Sequence, residues 1–584
     1  MRHRPNRRQP MSNPPRSLFQ RAAGQPARAP RPAADGSAVE VGLEPLLVGA
    51  SLYWTLAANP AFFAAALAGR DPADTSAWGF AAALFVGVLG LNLLLLAPLA
   101  TRWTVKPLLA LLTLAAAAAS YHTQAFGVVV DPSMLRNVLH TEAAEAGELL
   151  TWRFGLHMAL YGGAPLLLLA RLRIRRQRWP RALAARGVTM LLATAAVVGA
   201  VVAAYQPLAS LMRNDKTLRY KVAPANVAWS LARALAEDAR GAARPREAIG
   251  LDAAPGPSWA ARQRPLVLVL VVGETARAAN WGLTGYARQT TPQLARADGI
   301  VSFADVKACG THTEVSVPCM FAPVGRRDYD EARIRGQESL LHVLARAGVG
   351  VHWRDNQTGC KGVCDGLPGE RVDARLAPGL CADGRCLDEG LLVDLDERLA
   401  RAQGTQLWVL HMLGNHGPSY FRRYPRSFAR FQPECRDDDL RRCSVETIVN
   451  AYDNALLYTD HVLATIIARL QAHAGKVDSA LIYVSDHGES LGEHGLFLHG
   501  LPYPIAPAEQ TRVPMLAWAS AGFERGAGLA PGCLRPTLTR RAALPVAHDH
   551  LFHTVLGLLD VRTTLRDPAW DLGDGCRDGS APAP

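Results

Sequence analysis

Five apolar stretches crowd the first 205 residues of this chain, at 45–67, 78–100, 107–130, 154–170 and 188–205. A helix needs about 20 apolar residues to cross a bilayer. The first three stretches meet that length, and the last two lie near its lower limit. A buried soluble helix is the alternative for the short pair. Between them, however, stand Arg171, Arg173, Arg175, Arg176, Arg178, Arg181 and Arg186, a density of charge that no soluble core accepts. A chain of this pattern folds as a membrane unit followed by a separate soluble unit.

Charge sets the orientation. Basic residues flanking apolar spans stay on the cytoplasmic side. The tail before the first stretch carries Arg2, Arg4, Arg7, Arg8, Arg16, Arg21, Arg28 and Arg31. The loop after the second stretch holds Arg102 and Lys106, and the loop after the fourth is the arginine-dense one. The loop after the first is nearly neutral, and the segment after the third is acidic, with Asp131, Glu142, Glu145 and Glu148. Five spans that start inside deliver the remainder outside. The net charge of +12 is therefore largely a topology signal, and nucleic acid is not an expected partner. Residues 1–40 are rich in Pro, Arg and Ala and are expected to be a disordered tail. That tail is too long and polar for a cleavable signal peptide.

All ten cysteines follow residue 300. An even number confined to one soluble unit points to disulfides in an oxidising compartment. Neighbours in sequence suggest Cys309–Cys319, Cys360–Cys364, Cys381–Cys386 and Cys435–Cys443, leaving Cys533–Cys576, although sequence alone leaves the connectivity open. A zinc site is the rival, and it lacks any C-x-x-C pair.

Residues 207–262 form a connector, with 227–239 amphipathic enough for the membrane surface and a hinge at 253–257. From Pro265 onward the pattern becomes short Val/Leu/Ile runs, such as 265–272, 406–412 and 480–485, alternating with helical segments at 339–347 and 444–474. Such runs fit strands buried on both faces of a mainly parallel sheet, so residues 263–584 are expected to be an α/β domain. Ligands in such sheets bind beyond the carboxyl ends of the strands.

Three of those ends carry metal-capable groups. The first run ends in Gly273-Glu274-Thr275, another in Asp486-His487-Gly488-Glu489, and a third leads to His411, Asn415 and His416. Mixed oxygen and imidazole donors suit Zn²⁺ or Mn²⁺. Between Cys309 and Cys319 lies a loop with the hydroxyls of Thr311, Thr313 and Ser316. A metal makes such a hydroxyl a competent nucleophile. The same loop also reads as hydroxyls capping a helix.

In order, these strings are GET, CGT-x-T-x-VSVPCMF, HM-x-G-x-HGP, YTD and SDHGESLGEHG-x5-HG-x-PY. They resemble the phosphoethanolamine transferases of the alkaline phosphatase superfamily, which modify lipid A and include colistin-resistance enzymes. The resemblance runs from the first apolar stretch to about residue 560 and leaves out the first forty residues. It implies an N-terminal five-helix transmembrane domain, residues 41–206, and a C-terminal α/β domain of sulfatase-like fold facing the periplasm from the inner membrane. It also implies one or two zinc ions. Glu274, Thr313, Asp486 and His487 would be the primary ligands, with Thr313 phosphorylated during turnover. His416 and His499 would bind a second zinc or phosphoryl oxygens. Lys361 would bind substrate, with His411 in support, and Asn137, Thr141 and Glu145 would hold the lipid headgroup on one helix face. The implied donor is phosphatidylethanolamine and the implied acceptor lipid A or a related lipopolysaccharide.

The chain departs from that pattern beside the nucleophile. His312 and Glu314 stand where small or neutral residues are expected, and they either tune the site or face solvent. His494 reads as a surface residue. Sulfatases need a C/S-x-P-x-R segment that is missing around Cys309, Thr313 and Cys319. The alternatives are a glycerol-phosphate transferase of the same superfamily and a non-catalytic membrane sensor.

Overall fold

The computed structural model describes residues 39–577, except 142, 215–216, 243–244 and 383, so the expected tail at 1–40 lies almost wholly outside the described residues. Each of the five apolar stretches forms helix. The first is α1, Leu43–Ala57, and α2, Pro60–Leu67, bent by 57°. Proline explains the break, because its ring clashes with the carbonyl four residues earlier. The buried Asn59 side chain braces the bend against a distant segment. Its Nδ2 donates to Trp54 O at 2.7 Å and Ala223 O at 2.9 Å, and its Oδ1 accepts from Ala223 N at 2.8 Å.

Then come α3, Thr75–Leu96, and α4, Val105–Phe126. Two short helices follow on the far side, α5, Pro132–His140, and α6, Ala143–Leu149. The fourth stretch is one helical run from Trp152 to Arg171, with a π-helical segment, Met158–Gly163, in its middle. Pro165 lies just beyond that segment and cannot donate to the preceding turn, a known cause of such distortion. The fifth stretch belongs to α7, Trp179–Ala203, which starts nine residues earlier than the apolar run. Arg186 explains the extension, since it donates to Ala97 O and Ala100 O and thereby caps α3. Among the described residues, α3, α4 and α7 are long and apolar enough to cross a membrane, and the bent pair makes a fourth. Gly90 allows α3 and α7 to approach closely, for a Cβ there would stand 3.0 Å from Ala193 O. The expected amphipathic connector is α8, Ala225–Ala242.

The second unit is built on seven strands: β1 Leu266–Gly273, β2 Val301–Phe303, β3 Gly350–Asp355, β4 Gly369–Arg371, β5 Thr405–His411, β6 Asp478–Ser485 and β7 Met515–Ala519. Their order in the sheet is β2-β7-β6-β1-β5-β3-β4. The pairs from β6 to β4 are parallel, while β7 and β2 add antiparallel at one edge. Every residue of β1 and of β6 is buried, as continuous apolar runs require. Register then positions the chemistry. Gly273 pairs with Ser485 and His411 with Val272, so the three strands end level.

Against this sheet pack α9, Thr313–Met320, and the long α10, Val445–Ala472, close to the 444–474 expected. The ten cysteines form five bridges, in the pairing that sequence neighbours suggested. Thiol titration of the purified, denatured and unreduced protein should accordingly find none of the ten free. Several free thiols would refute the oxidising compartment and the topology derived from it.

Candidate active site

Level strand ends put three ligand groups together. Glu274 follows β1 and Asp486-His487 follows β6, all fully buried, with their ligand atoms within 4.8 Å of one another. His487 Nε2 lies 3.3 Å from Glu274 Oε1 and 3.3 Å from Asp486 Oδ2. The loop after β5 closes the floor. Asn415 N donates to Glu274 O at 3.0 Å, and Gly414 (φ 53°) passes so near that a Cβ would fall 2.6 Å from that oxygen. Only glycine fits there.

Thr313 is the first residue of α9, where the open N–H groups of a helix favour negative charge. Its Oγ1 donates to Glu274 Oε2 at 3.1 Å and lies 3.5 Å from His487 Nε2. The rival hydroxyls are engaged elsewhere. Thr311 Oγ1 donates to Leu501 O at 2.6 Å, and Ser316 Oγ donates to Asp486 O. Of the three, the Thr313 hydroxyl is therefore the one bonded to a carboxylate of the cluster. Pro318 inside α9 lacks the N–H that would meet Glu314 O, and Arg335 Nη2 donates to that carbonyl instead.

The donor set fits a divalent cation. Two carboxylates, an imidazole and a hydroxyl converge in a buried site, and Asp486 Oδ2 has no hydrogen-bond partner among the described residues. Burial, then the neighbouring Glu274, pushes the Asp486 carboxyl up to about 6. Burial opposes a charge on His487, yet Asp486 and Glu274 lift it to about 10. The His487 shift expresses the negative charge of the two carboxylates, which a cation would neutralise.

Two further histidines lie alongside. The rings of His487 and His499 are 4.3 Å apart and those of His499 and His416 5.4 Å. His499 Nδ1 is 3.4 Å from Glu489 Oε2, and burial pushes the Glu489 carboxyl up to about 8. His411 is buried, with Nδ1 2.8 Å from Asp355 Oδ1 and Nε2 lacking a hydrogen-bond partner. Sequence reasoning assigned no role to Glu489, Asp355 or Gln357, whose Nε2 donates to Glu274 Oε2 at 3.1 Å. Glu489 stood within the quoted DHGE string and was the one most open to detection. Nothing local marked the others.

Lys361 is held by the Cys360–Cys364 loop with a left-handed backbone (φ 50°), and its Nζ meets Glu314 Oε1 at 3.1 Å. His312 and Glu314 are both buried, which removes the solvent-facing alternative. His494 is exposed, as expected.

The headgroup trio requires a correction. Asn137, Thr141 and Glu145 do not lie on one continuous helix, because the chain turns extended at Thr141 between α5 and α6. Thr141 Oγ1 donates to Asn137 O at 2.8 Å, while Thr141 N turns to Val138 O at 3.4 Å. The Glu145 side chain lies outside the described residues. The segment still reaches the catalytic unit. His312 Nε2 is 3.2 Å from Ser133 Oγ, and Glu148 Oε2 meets Arg423 Nη2 at 2.7 Å with both side chains 2% exposed. Arg423 Nε in turn donates to His416 O at 2.6 Å.

Comparison with known proteins agrees with this architecture. A sulfatase family model matches residues 267–561, and the model for phosphoethanolamine transferase EptA/EptB matches 88–239. Phosphoethanolamine transferase EptA of Escherichia coli K12 is 38% identical over 479 residues, 81% of this chain and 86% of its own length. Phosphatidylethanolamine transferase Mcr-1 of Escherichia coli is 38% identical over 526 residues, 88% of this chain and 94% of its own. Among solved structures, the integral membrane protein lipooligosaccharide phosphoethanolamine transferase A from Neisseria meningitidis superposes with a TM-score of 0.87 at 36% identity, covering 93% of this chain and 100% of that one. Two parts of the molecule, read separately, thus lead to one assignment: the chain belongs to the phosphoethanolamine transferase family of enzymes.

Proposed function

We propose that this enzyme moves phosphoethanolamine from phosphatidylethanolamine to lipid A, or a related lipopolysaccharide acceptor, by way of a phosphorylated Thr313. The observation that carries the reading is the Thr313 hydroxyl, hydrogen-bonded to Glu274 inside a buried cluster of carboxylates and imidazole. In the first half-reaction Thr313 Oγ attacks phosphorus, and the P–O bond to diacylglycerol breaks. The leaving alkoxide takes up a proton, and the Thr313 hydroxyl has given one up. In the second, an oxygen of the acceptor attacks the same phosphorus and Thr313 regains its proton. Glu274 orients the hydroxyl, while Lys361, His416 and His499 meet the charge on the phosphoryl oxygens. Glu274, Thr313, Asp486 and His487 would hold zinc, and His416 and His499 a second ion or the phosphate itself. Bound zinc supplies Lewis-acid stabilisation of the alkoxide and of the developing charge.

Both substrates are lipids, which accounts for a membrane unit at 41–206, a surface connector at 207–262 and a catalytic domain at 263–584. The basic cytoplasmic flanks and the five disulfides support an inner-membrane enzyme working in the periplasm. Asn137, Thr141 and Glu145 remain the proposed headgroup contacts, now on two helices rather than one. A cationic ethanolamine placed on lipid A lowers its negative charge, so resistance to cationic polymyxins is the expected cellular effect.

The test is mass spectrometry of lipid A from a host lacking such enzymes, with and without this protein. The expected result is an added phosphoethanolamine on lipid A. Unchanged lipid A together with glycerol phosphate on another acceptor would favour the alternative transferase.

A further inference from the structure

We infer that Glu314 is a positioning residue that holds Lys361 in reserve and yields it to a phosphate group entering the site. The inference rests on the transfer proposed above for its place in the reaction, but its geometry stands alone. Glu314 follows the nucleophile directly and is 2% exposed. Its Oε1 meets Lys361 Nζ at 3.1 Å, where the lysine side chain is 4% exposed. An ammonium has three N–H donors. The other two partners of Lys361 are Thr358 O at 3.2 Å and Thr358 Oγ1. All three donors are therefore in use, and the lysine cannot bind a phosphate oxygen without giving up one partner.

Glu314 is the partner that can be given up. Its carboxylate has a second cation in reach, Arg335 Nη2 at 3.3 Å, and the His140 ring beside it, with Nδ1 at 3.4 Å. When Lys361 moves to a phosphate, Glu314 is not left as an unpaired buried charge, the situation that makes breaking such pairs costly. Thr358, by contrast, stands three residues before Lys361, just ahead of the Cys360–Cys364 bridge, and carries no charge for which a phosphate must compete. Charge gives the exchange its direction. A phosphodiester carries one negative charge and gains more as the nucleophile adds, so it competes best with the Glu314 carboxylate in the transition state. His140 lies on α5, so the same carboxylate also joins the membrane-side segment to the nucleophile helix.

The experiment is phosphate binding and transfer kinetics on the zinc-loaded full-length protein carrying Glu314→Gln, Lys361→Ala or both. Inorganic phosphate should bind roughly three- to tenfold more tightly to Glu314→Gln than to the unsubstituted protein. In the Lys361→Ala background the same change should have no effect on phosphate affinity. In transfer assays Glu314→Gln should lower KM for phosphatidylethanolamine, and again only while Lys361 is present. Unchanged phosphate affinity, or equal effects in both backgrounds, overturns the proposal, because a purely structural role gives additive losses. Should Glu314→Gln fail to fold, Glu314→Asp keeps the charge but shortens its reach, and the same comparison with Lys361→Ala applies. A protein whose variants bind phosphate as expected, yet which transfers no phosphoethanolamine, removes the functional reading and leaves the exchange standing.

Discussion

Thr313→Ala should reduce phosphoethanolamine transfer by roughly 10⁴-fold or more, to the background of the assay. Neither of the other two hydroxyls of the loop can replace the lost one. Thr311 and Ser316 point their hydroxyls at the carbonyls of Leu501 and Asp486, away from the carboxylate cluster. The variant should still fold. Glu274 keeps donors from Gln357 Nε2 and Thr275 Oγ1, so no buried carboxylate is orphaned, and the lost hydrogen bond costs only about 1 kcal/mol. Thr313→Ser restores the oxygen and should recover part of the activity. The assay is mass spectrometry of lipid A, paired with a thermal melt to establish folding. Transfer at the unsubstituted level by Thr313→Ala would remove this residue as nucleophile.

Asp486→Asn should have the second-largest effect, through loss of bound metal. The side chain keeps its shape, and its amide oxygen can still accept from Thr275 N at 3.1 Å and His487 N at 2.7 Å, where Oδ1 now does. What changes is the other atom. Asp486 Oδ2, buried and without a hydrogen-bond partner, becomes an NH₂ group that turns positive charge toward the cation's place. Metal analysis of the purified variant should show zinc occupancy well below that of the parent, and transfer should fall by roughly 10²–10³-fold. Chelation of the parent protein should do the same, with recovery on adding zinc. Full zinc occupancy and full activity in Asp486→Asn would show that the cluster holds its charge without a metal.

The residues of these two predictions were legible for different reasons. Glu274, Asp486 and His487 stand at the ends of continuous apolar runs, and a run that reads as a buried parallel strand says where its ligand groups emerge. Thr313 was one of three hydroxyls until the family pattern singled it out, and its hydroxyl is the one of those three that meets Glu274. The spacing of Asn137, Thr141 and Glu145 misled, because helical spacing has meaning only along an unbroken helix. The break at Thr141 leaves no local mark, for threonines that bond the carbonyl four residues back also stand inside intact helices, as Thr465 does on His461. Pro165 and Pro60 were visible in the sequence, but the bracing of the bend through Asn59 needed Ala223, 164 residues away.

By itself the sequence determined the division into an apolar helical unit and an α/β unit, and the strand ends at which Glu274, Asp486 and His487 emerge. Each of these follows from local apolar content, period or flanking charge, which neighbouring residues settle among themselves. Tertiary structure alone decided that Glu314 meets Lys361, that His411 is held by Asp355 and that Glu148 reaches Arg423 from the membrane side. Such pairs join residues far apart along the chain, and their partners become defined only once the strand order and the docking of α5 and α6 bring them within a few ångströms. A buried charge must find a counter-charge wherever the fold places it, and that place is a property of the whole molecule.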